Sequence, residues 1–589
     1  MTVAAPPASP RTSAPAPGEG PAGGTRSRWL GRGGGIVRIG VFVVVLALLA
    51  LLVYPIGRMV VKALVPDGQL DLSAFGTVVQ QGWFWDTIRD TVIVVGSAAV
   101  IALVVGAVLA WINERTDAGL GWLGTFMPLL PLLMPPIATA TGWYFLGSPD
   151  AGFLNGLLKL LPGSPTINIL TYPGLIFVYV LELVPYAYIT ISGSLRNIDP
   201  ALEEASRVSG AGLLKTLFRV SLPAVSQAIV SALFLLIVTG FAIYSTPVVI
   251  GTNANINILS VQIVKLMQFS YPPDLQSATV LTTVLLAFVL CAWILQQSVM
   301  RRGRYAMISG RSGQSKMRTG RWRYLLRGIT IAYLVVTAVI PLIAVIIVSL
   351  QPFWTSAVDP SVFNLQHFAT VLSRRNSVTA LQTSVILGVV GGAIAVAVCV
   401  FVAIARRRTS YGFLLGPRMA AFVDGVMRLP AAFSHIVIGL GFIVAFSGPP
   451  FNWNGTYIIL GLCYLVAFMP QASTTTNNAL SQIGNDLTEA SYMSHAGELR
   501  TNLRVVLPLA IPGLLSTWAL LFVLFASEVS ASTMLAGAKT PVIGFVLVDI
   551  WENGTFGPMA AFALVVTAIT SAATVILLLL GRQRFRRVR

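Results

Sequence analysis

Long apolar runs recur along the chain, separated by short polar stretches, and most approach the roughly 20 residues a helix needs to cross a ~30 Å hydrocarbon core. In the first half the pattern predicts spans at Ile39 to Ile56, Thr91 to Trp111, Leu123 to Phe145, Pro173 to Ile191, Val225 to Ile243 and Ala278 to Leu295. In the second half it predicts them at Gly328 to Leu350, Ser384 to Ala405, Gly425 to Phe446, Tyr457 to Pro470, Gly513 to Val529 and Met559 to Leu580. The fold class expected is all-α, a polytopic membrane protein of about 12 transmembrane helices. Six spans per half, an even number, give both halves the same orientation, so the duplication is a parallel repeat and not an inverted one.

The polar stretches carry a sharper pattern. EEASRVSGAGLLKTLFRVSLP, from Glu203 to Pro223, returns without a gap as TEASYMSHAGELRTNLRVVLP, from Thr488 to Pro508. Glu204 pairs with Glu489 and Pro223 with Pro508, so 489 − 204 and 508 − 223 both give 285. The register continues upstream, where Tyr179, Pro185, Ala187, Leu195, Ile198 and Leu202 match Tyr464, Pro470, Ala472, Leu480, Ile483 and Leu487. A polar segment duplicated inside so apolar a chain is read most economically as a duplicated docking site.

Composition agrees with the spans. Of 589 residues, 55% are hydrophobic and 10% charged, against roughly 25% charged in a soluble domain. Mean hydropathy is +0.80. The net charge of +18 concentrates at span ends, and the positive-inside rule orients the chain by it. Arg11, Arg26, Arg28, Arg32 and Arg38 precede the first span, and Arg582, Arg584, Arg586, Arg587 and Arg589 follow the last, so both termini are expected in the cytoplasm. Arg301 to Arg327 and Arg406 to Arg408 fall on the same side. Such charges set topology and meet anionic lipid, and no motif supports nucleic acid as a partner.

The predicted organisation is a disordered cytoplasmic tail (1–36), a first six-span half (37–300), a basic cytoplasmic linker (301–327), a second six-span half (328–581) and a basic tail (582–589). The first apolar run lies too far from the N-terminus for a cleaved signal peptide and reads as an uncleaved span. Cys291, Cys399 and Cys463 lie in or beside spans without CxxC spacing and read as core residues.

By the same charge count, the repeated segment lies in the cytoplasm between the fourth and fifth spans of each half. Its first copy, DPALEEASRVSGAG, predicts a helix with Asp199 as N-cap, Pro200 at the first helical position and acidic Glu203 and Glu204 near the positive helix end. Gly210 and Gly212 terminate it. Ala205 and Ser209, four residues apart, form a small-residue stripe that another protein can approach.

These residues resemble the cytoplasmic signature of binding-protein-dependent ABC importer permeases of the type I fold, EAAxxxG followed by nine residues and I-x-LP. Glu204, Ala205, Gly210, Val220, Leu222 and Pro223 match it in order and spacing, with Ser206 as the third small residue. Glu489, Ala490, Val505, Leu507 and Pro508 match in the second copy, with Ser491 likewise. His495 stands where the family has glycine, which implies that the two docking turns differ. The resemblance implies a coupling helix in each half, formed around Glu204, Ala205, Ser206 and Gly210 and around Glu489, Ala490, Ser491 and His495, each seated in one ATPase subunit. It also implies that this chain is both transmembrane subunits, working in a bacterial cytoplasmic (inner) membrane with two ATPase subunits and one extracytoplasmic solute-binding protein.

No G-x-x-x-x-G-K-[ST] string is present, and GAKT at Gly537 to Thr540 lacks the first glycine and loop spacing, so the chain is expected to be a transport subunit and not an enzyme. ATP and Mg are expected on the partner ATPase. His367, His435 and His495 are scattered, and no paired carboxylates suggest an active site or assign a metal. For the solute, ASEVSASTMLAGAKTPVIGFVLVDIWENGTFG, Ala526 to Gly557, and FAIYSTPVVIG, Phe241 to Gly251, resemble segments of iron(III) uptake permeases. Ferric iron is the leading expectation. Permeases for 2-aminoethylphosphonate, polyamine, thiamine or sulfate carry similar strings, and an ion-driven secondary transporter is the alternative of another class, although INERTDAGLGW does not resemble such a carrier's signature.

Glu182 and Glu528 fall within predicted spans, where a charge is costly enough to suggest a translocation pathway. Their repeat partners are Ala467 and Ile243, so a pathway with one polar wall is one reading, and bracing of a neighbouring helix or loop is the other. Pro135, Pro136 and Pro430 would bend their spans, as a gate or a passive kink. Asp150, Asp549, Trp551 and Glu552 are the groups offered to an outer partner.

Overall fold

The computed structural model describes residues 33–65, 73–121, 131, 134–159, 161–163, 165–302, 316–406, 408, 409, 412, 413, 415–494 and 496–588. The first half includes the helices α1 (Gly33–Leu64), α2 (Gly82–Arg115), α3 (Pro136–Gly147), α4 (Tyr172–Arg196), the short α5 (Pro200–Val208), α6 (Ser226–Ala242) and α7 (Leu275–Arg302). The second includes α8 (Trp322–Leu350), α9 (Arg375–Arg406), α10 (Pro417–Arg428), α11 (His435–Phe446), α12 (Tyr457–Ala467), α13 (Met469–Ser481), the short α14 (Asn485–Met493), α15 (Asn502–Ala526) and α16 (Phe556–Ile576), and shorter helices lie between these in both halves.

Among the described residues, eight helices are long and apolar enough to cross a membrane, or eleven spans if each of three bent pairs counts as one. The remaining span expected from the sequence, Leu123 to Phe145, lies partly outside the described residues, and its latter part is α3. The fold is all-α, as the hydrophobic pattern predicts. Extended pairing among the described residues is confined to Arg408–Thr409 with Gly412–Phe413 and one bridge between Thr116 and Met317.

Helices in lipid associate by close packing, so small residues mark their crossings. On α2, Val94, Val95, Ala98, Ala99 and Ala102 are buried while Val100, Ile101, Val104 and Val108 are exposed, which leaves an apolar stripe for lipid. Gly106 brings α2 against α4: a Cβ there would lie 2.5 Å from the Ala187 Cβ. Gly391 does the same for α9 and α15, with a Cβ falling 2.6 Å from the Phe525 ring.

The two halves interlock. α1 packs on α11, and the latter part of α8 packs on α3. At the end of the bundle away from the repeat, Tyr144 and Phe145 of one half meet Trp354, Trp551 and Phe556 of the other, with ring centroids 5.0 to 6.0 Å apart. This corrects the expectation for Trp551, which is buried in the knot and not presented to a partner; Asp150 and Asp549 are exposed.

Proline bends the two halves differently. Pro185 sits inside an unbroken α4, whereas its counterpart Pro470 opens α13 after a 53° bend from α12. α10 and α11 meet at 97° across Pro430, and the short helix holding Pro223 meets α6 at 64°. Removing a backbone donor at these positions leaves a carbonyl unbonded and lets the axis turn.

Candidate functional site

The duplicated segment folds twice into the same structure. α5 (Pro200–Val208) and α14 (Asn485–Met493) have both bounds displaced by 285, as do the short helices that follow, Leu213–Thr216 and Glu498–Thr501. Asp199 caps α5 by accepting from the Ala201 N–H at 2.9 Å, with Pro200 in the first turn and Gly210 at φ +79° ending the segment. Side-chain bonds repeat as well. Ser206 and Thr216 hydroxyls lie 3.1 Å apart, and Ser491 and Thr501 lie 2.9 Å apart. Ser209 donates to the Ala205 carbonyl at 2.8 Å and Ser494 to the Ala490 carbonyl at 3.1 Å. The symmetry reaches back to the preceding helices, where Thr171 caps α4 and Thr456, 285 positions on, caps α12.

What each copy exposes is also duplicated. Glu204 and Ala205 are exposed on α5, and Glu489 and Ala490 on α14, with Ser206 and Ser491 half-buried. Beside each acid in sequence the same register carries large exposed apolar side chains: Leu202, Val208 and Phe218 in the first copy, Leu487, Met493 and Leu503 in the second. Val208 is 89% exposed and Met493 82%. Isolated surface hydrophobes need no explanation, but an apolar set repeated position for position beside an exposed acid marks a surface built for contact. His495, the expected point of departure from Gly210, lies outside the described residues.

The copies differ beneath that surface. Glu203 is buried, with Oε1 accepting from the Ser221 hydroxyl at 2.7 Å and Oε2 3.6 Å from Arg115 Nη1. Arg115 donates through Nη2 to the Leu195 and Ile198 carbonyls, 2.6 and 2.9 Å away. In the second copy Thr488 replaces Glu203 and buried Val506 replaces Ser221, so acid and donor change together. Both acids lie near the helix start as the sequence predicts, but Glu203 is buried in this brace and only Glu204 is exposed.

Between the halves lies a cavity of about 440 Å³, lined by α4 of the first half and α15 of the second. Its walls are mostly apolar, among them Val178, Leu181, Pro185, Ile189, Leu520 and Val523. Its one acidic group is Glu182, half-buried, whose Oε2 accepts from the Thr246 hydroxyl at 2.8 Å. Tyr186, Thr139, Thr337, Gln471, Ser516, Ser527 and Thr574 supply the other polar groups.

Glu528 does not line this cavity. It is buried, with Oε2 2.9 Å from His435 Nδ1 and Oε1 accepting from the Ala531 N–H at 2.9 Å. His435 begins α11 just after the 97° bend, so the pair ties that bend to the break following α15. Tyr186 stands within electrostatic range of both acids. Sequence reading missed two partners: His435, set aside as one of three scattered histidines, and Arg115.

Residues 37–305 and 409–589 match the family model described as binding-protein-dependent transport system inner membrane component. The chain is 24% identical over 503 residues to the ferric transport system permease protein FbpB of Actinobacillus pleuropneumoniae, an alignment covering 84% of this chain and 71% of that protein. It is 23% identical over 565 residues to y4fN, assigned as an ABC transporter permease in Sinorhizobium fredii, covering 92% and 96% respectively. It is 27% identical over 231 residues to PhnV, assigned as a 2-aminoethylphosphonate transport permease in Salmonella typhimurium, covering 39% of this chain and 84% of that one.

Proposed function

The chain belongs to the binding-protein-dependent transport system inner membrane component family, and from that premise we propose that it is both transmembrane subunits, in one polypeptide, of an ATP-driven importer. It is a multi-pass inner membrane protein and a fused permease of the iron-type group. In this reading α5 and α14 each dock in one ATPase subunit, which binds ATP and Mg and hydrolyses the nucleotide, while a separate binding protein delivers solute to the opposite face. Both termini then lie with the ATPases in the cytoplasm.

The observation that carries the reading is the matched exposure of Leu202, Glu204, Val208 and Phe218 with Leu487, Glu489, Met493 and Leu503. Two equal surfaces on one chain suit two equal partners. Nucleotide-driven approach of the ATPases would draw α5 and α14 together, and bundles packed through glycine contacts such as Gly106 on Ala187 would follow as rigid bodies, opening and closing the cavity between the halves. Family membership sets aside the ion-driven secondary transporter.

The solute we propose is ferric iron, on the likeness to FbpB. The donors in the cavity are oxygens from Glu182, Tyr186, Thr246 and neighbouring hydroxyls, the ligand type that hard cations take. Glu182 is the proposed pathway acid, and Glu528 a brace beside it. The second reading, 2-aminoethylphosphonate, is favoured by PhnV, which aligns over most of its own length. The test is to purify the partner binding protein and measure what it holds: ferric iron at submicromolar affinity supports the proposal, and tight phosphonate binding without iron removes it.

A further inference from the structure

The segment that leads into the second half is bonded to the first half directly beside α5. Met317 donates its N–H to the Arg115 carbonyl at 2.9 Å and accepts from the Asp117 N–H at 3.0 Å, a one-rung parallel pairing. Asp117 Oδ1 accepts from the Thr319 N–H at 2.9 Å and from its hydroxyl at 2.5 Å, and Arg327 Nε donates to the Ala118 carbonyl at 3.2 Å. Met317 is buried. The Thr319 hydroxyl bond holds the Asp117 carboxyl below its ordinary range, so the clamp is ionised at neutral pH.

One residue joins this strap to the repeat. The carbonyl of Arg115 holds Met317, while its guanidinium holds the carbonyls of Leu195 and Ile198, at the root of α5, and lies against Glu203 within α5. Glu114, the preceding residue, fixes the end of α4 by accepting from Ser192 and Arg196, each at 2.7 Å. The chain of contacts therefore runs without a break from residues 316–319, through the turn at 115–118, to α5.

We propose that this strap positions the first repeat helix and not the second: residues 316–319 fix the turn, Arg115 and Glu203 fix α5, and displacement of α5 is passed straight to α8. The idea rests on α5 being an ATPase-docking helix and adds that the two docking helices are held with unequal stiffness. In the second half Arg406 pairs with Asp424 of α10 at 2.8 Å, and Thr488 and Val506 stand where the brace has Glu203 and Ser221, so α14 is held by other means. The Arg115–Glu203 contact also has a tighter arrangement open to it. At 3.6 Å the pair leaves buried Arg115 Nε and Glu203 Oε2 without hydrogen bonds, and shortening it would satisfy the carboxylate oxygen. Such a contact can be loose in one state of a cycle and closed in another.

The test uses the full-length permease in nanodiscs, with amide hydrogen exchange read separately over 200–208 and 485–493. Asp117→Ala and Thr319→Val should each speed exchange in 200–208 by about fivefold, the effect of losing one or two net hydrogen bonds, and leave 485–493 unchanged. Unchanged exchange in 200–208, or equal acceleration in both helices, overturns the proposal. Glu203→Thr, which copies the second repeat, should act in the same direction and add little when combined with Asp117→Ala, because the links are in series. If either variant lowers yield, Thr319→Val carries the test alone. In vesicles with the partner ATPase and binding protein, Asp117→Ala should raise ATP hydrolysed per solute moved by roughly threefold while ATPase affinity stays within about twofold. An unaltered ratio with selective exchange would leave the strap as a static brace and sink its role in coupling. Selective exchange without ATPase binding to α5 would sink the docking reading instead.

Discussion

Val208 and Met493 offer the cleanest test of the docking surfaces, because at 89% and 82% exposure neither holds the permease together. Val208→Ala removes two methyl groups, and Met493→Ala removes three heavy atoms beyond Cβ. At about 0.8 kcal/mol for each methylene-sized group taken out of water, full burial against a partner predicts losses of about 1.6 and 2.4 kcal/mol, or roughly 15-fold and 50-fold in affinity at the two sites. These are upper values, reached only if the partner covers each side chain completely. The assay titrates purified ATPase onto immobilised full-length permease in nanodiscs, with thermal unfolding run in parallel. Affinity should fall while the unfolding midpoint stays put, since surface truncations change stability by about 0.5 kcal/mol or less. A change under twofold in both variants would refute the reasoning, as would a midpoint that falls with the affinity.

Glu182→Gln keeps the shape of the cavity and its bond from Thr246 but removes the charge, so uptake of a cationic solute should fall on the order of tenfold with ATPase affinity intact; undiminished uptake in reconstituted vesicles removes Glu182 from the pathway. Glu528→Gln weakens a buried contact to His435, and Glu528→Ala leaves the histidine without it, at a cost of about 3–5 kcal/mol by analogy with broken buried pairs. Replacing both by leucine should recover most of that midpoint. Failure of the double variant to recover would mean that the pair does more than brace the bend at α11.

The spans were legible because an apolar run of membrane length has few other uses, and α5 was legible because Asp199, Pro200 and Gly210 are local signals that act within one turn. The duplication was legible down to single hydroxyls, since Ser206 with Thr216 and Ser491 with Thr501 sit in the ungapped register. What stayed hidden depends on contacts across long separations. Glu203 looks like Glu204 in the sequence, and only packing against Arg115 and Ser221 tells them apart. Glu528 and His435 lie 93 positions apart, and neither carries a local mark of the other. Trp551 looked available because its segment reads as a short outer loop, yet Tyr144 of the other half and Phe556 of its own pack against it and it is buried. The strap at Met317 was the least visible, because a basic stretch reads as a solvated tether until the bond partners of its last residues are seen.

The central claim is that one chain presents two ATPase-docking surfaces, and the mass of the complex formed by the solubilised full-length permease with its ATPase tests it most directly. The account predicts two ATPase subunits per chain, one after Glu204→Arg or Glu489→Arg alone, and none after both. A single ATPase on the unaltered chain, or two on the doubly reversed one, would contradict it.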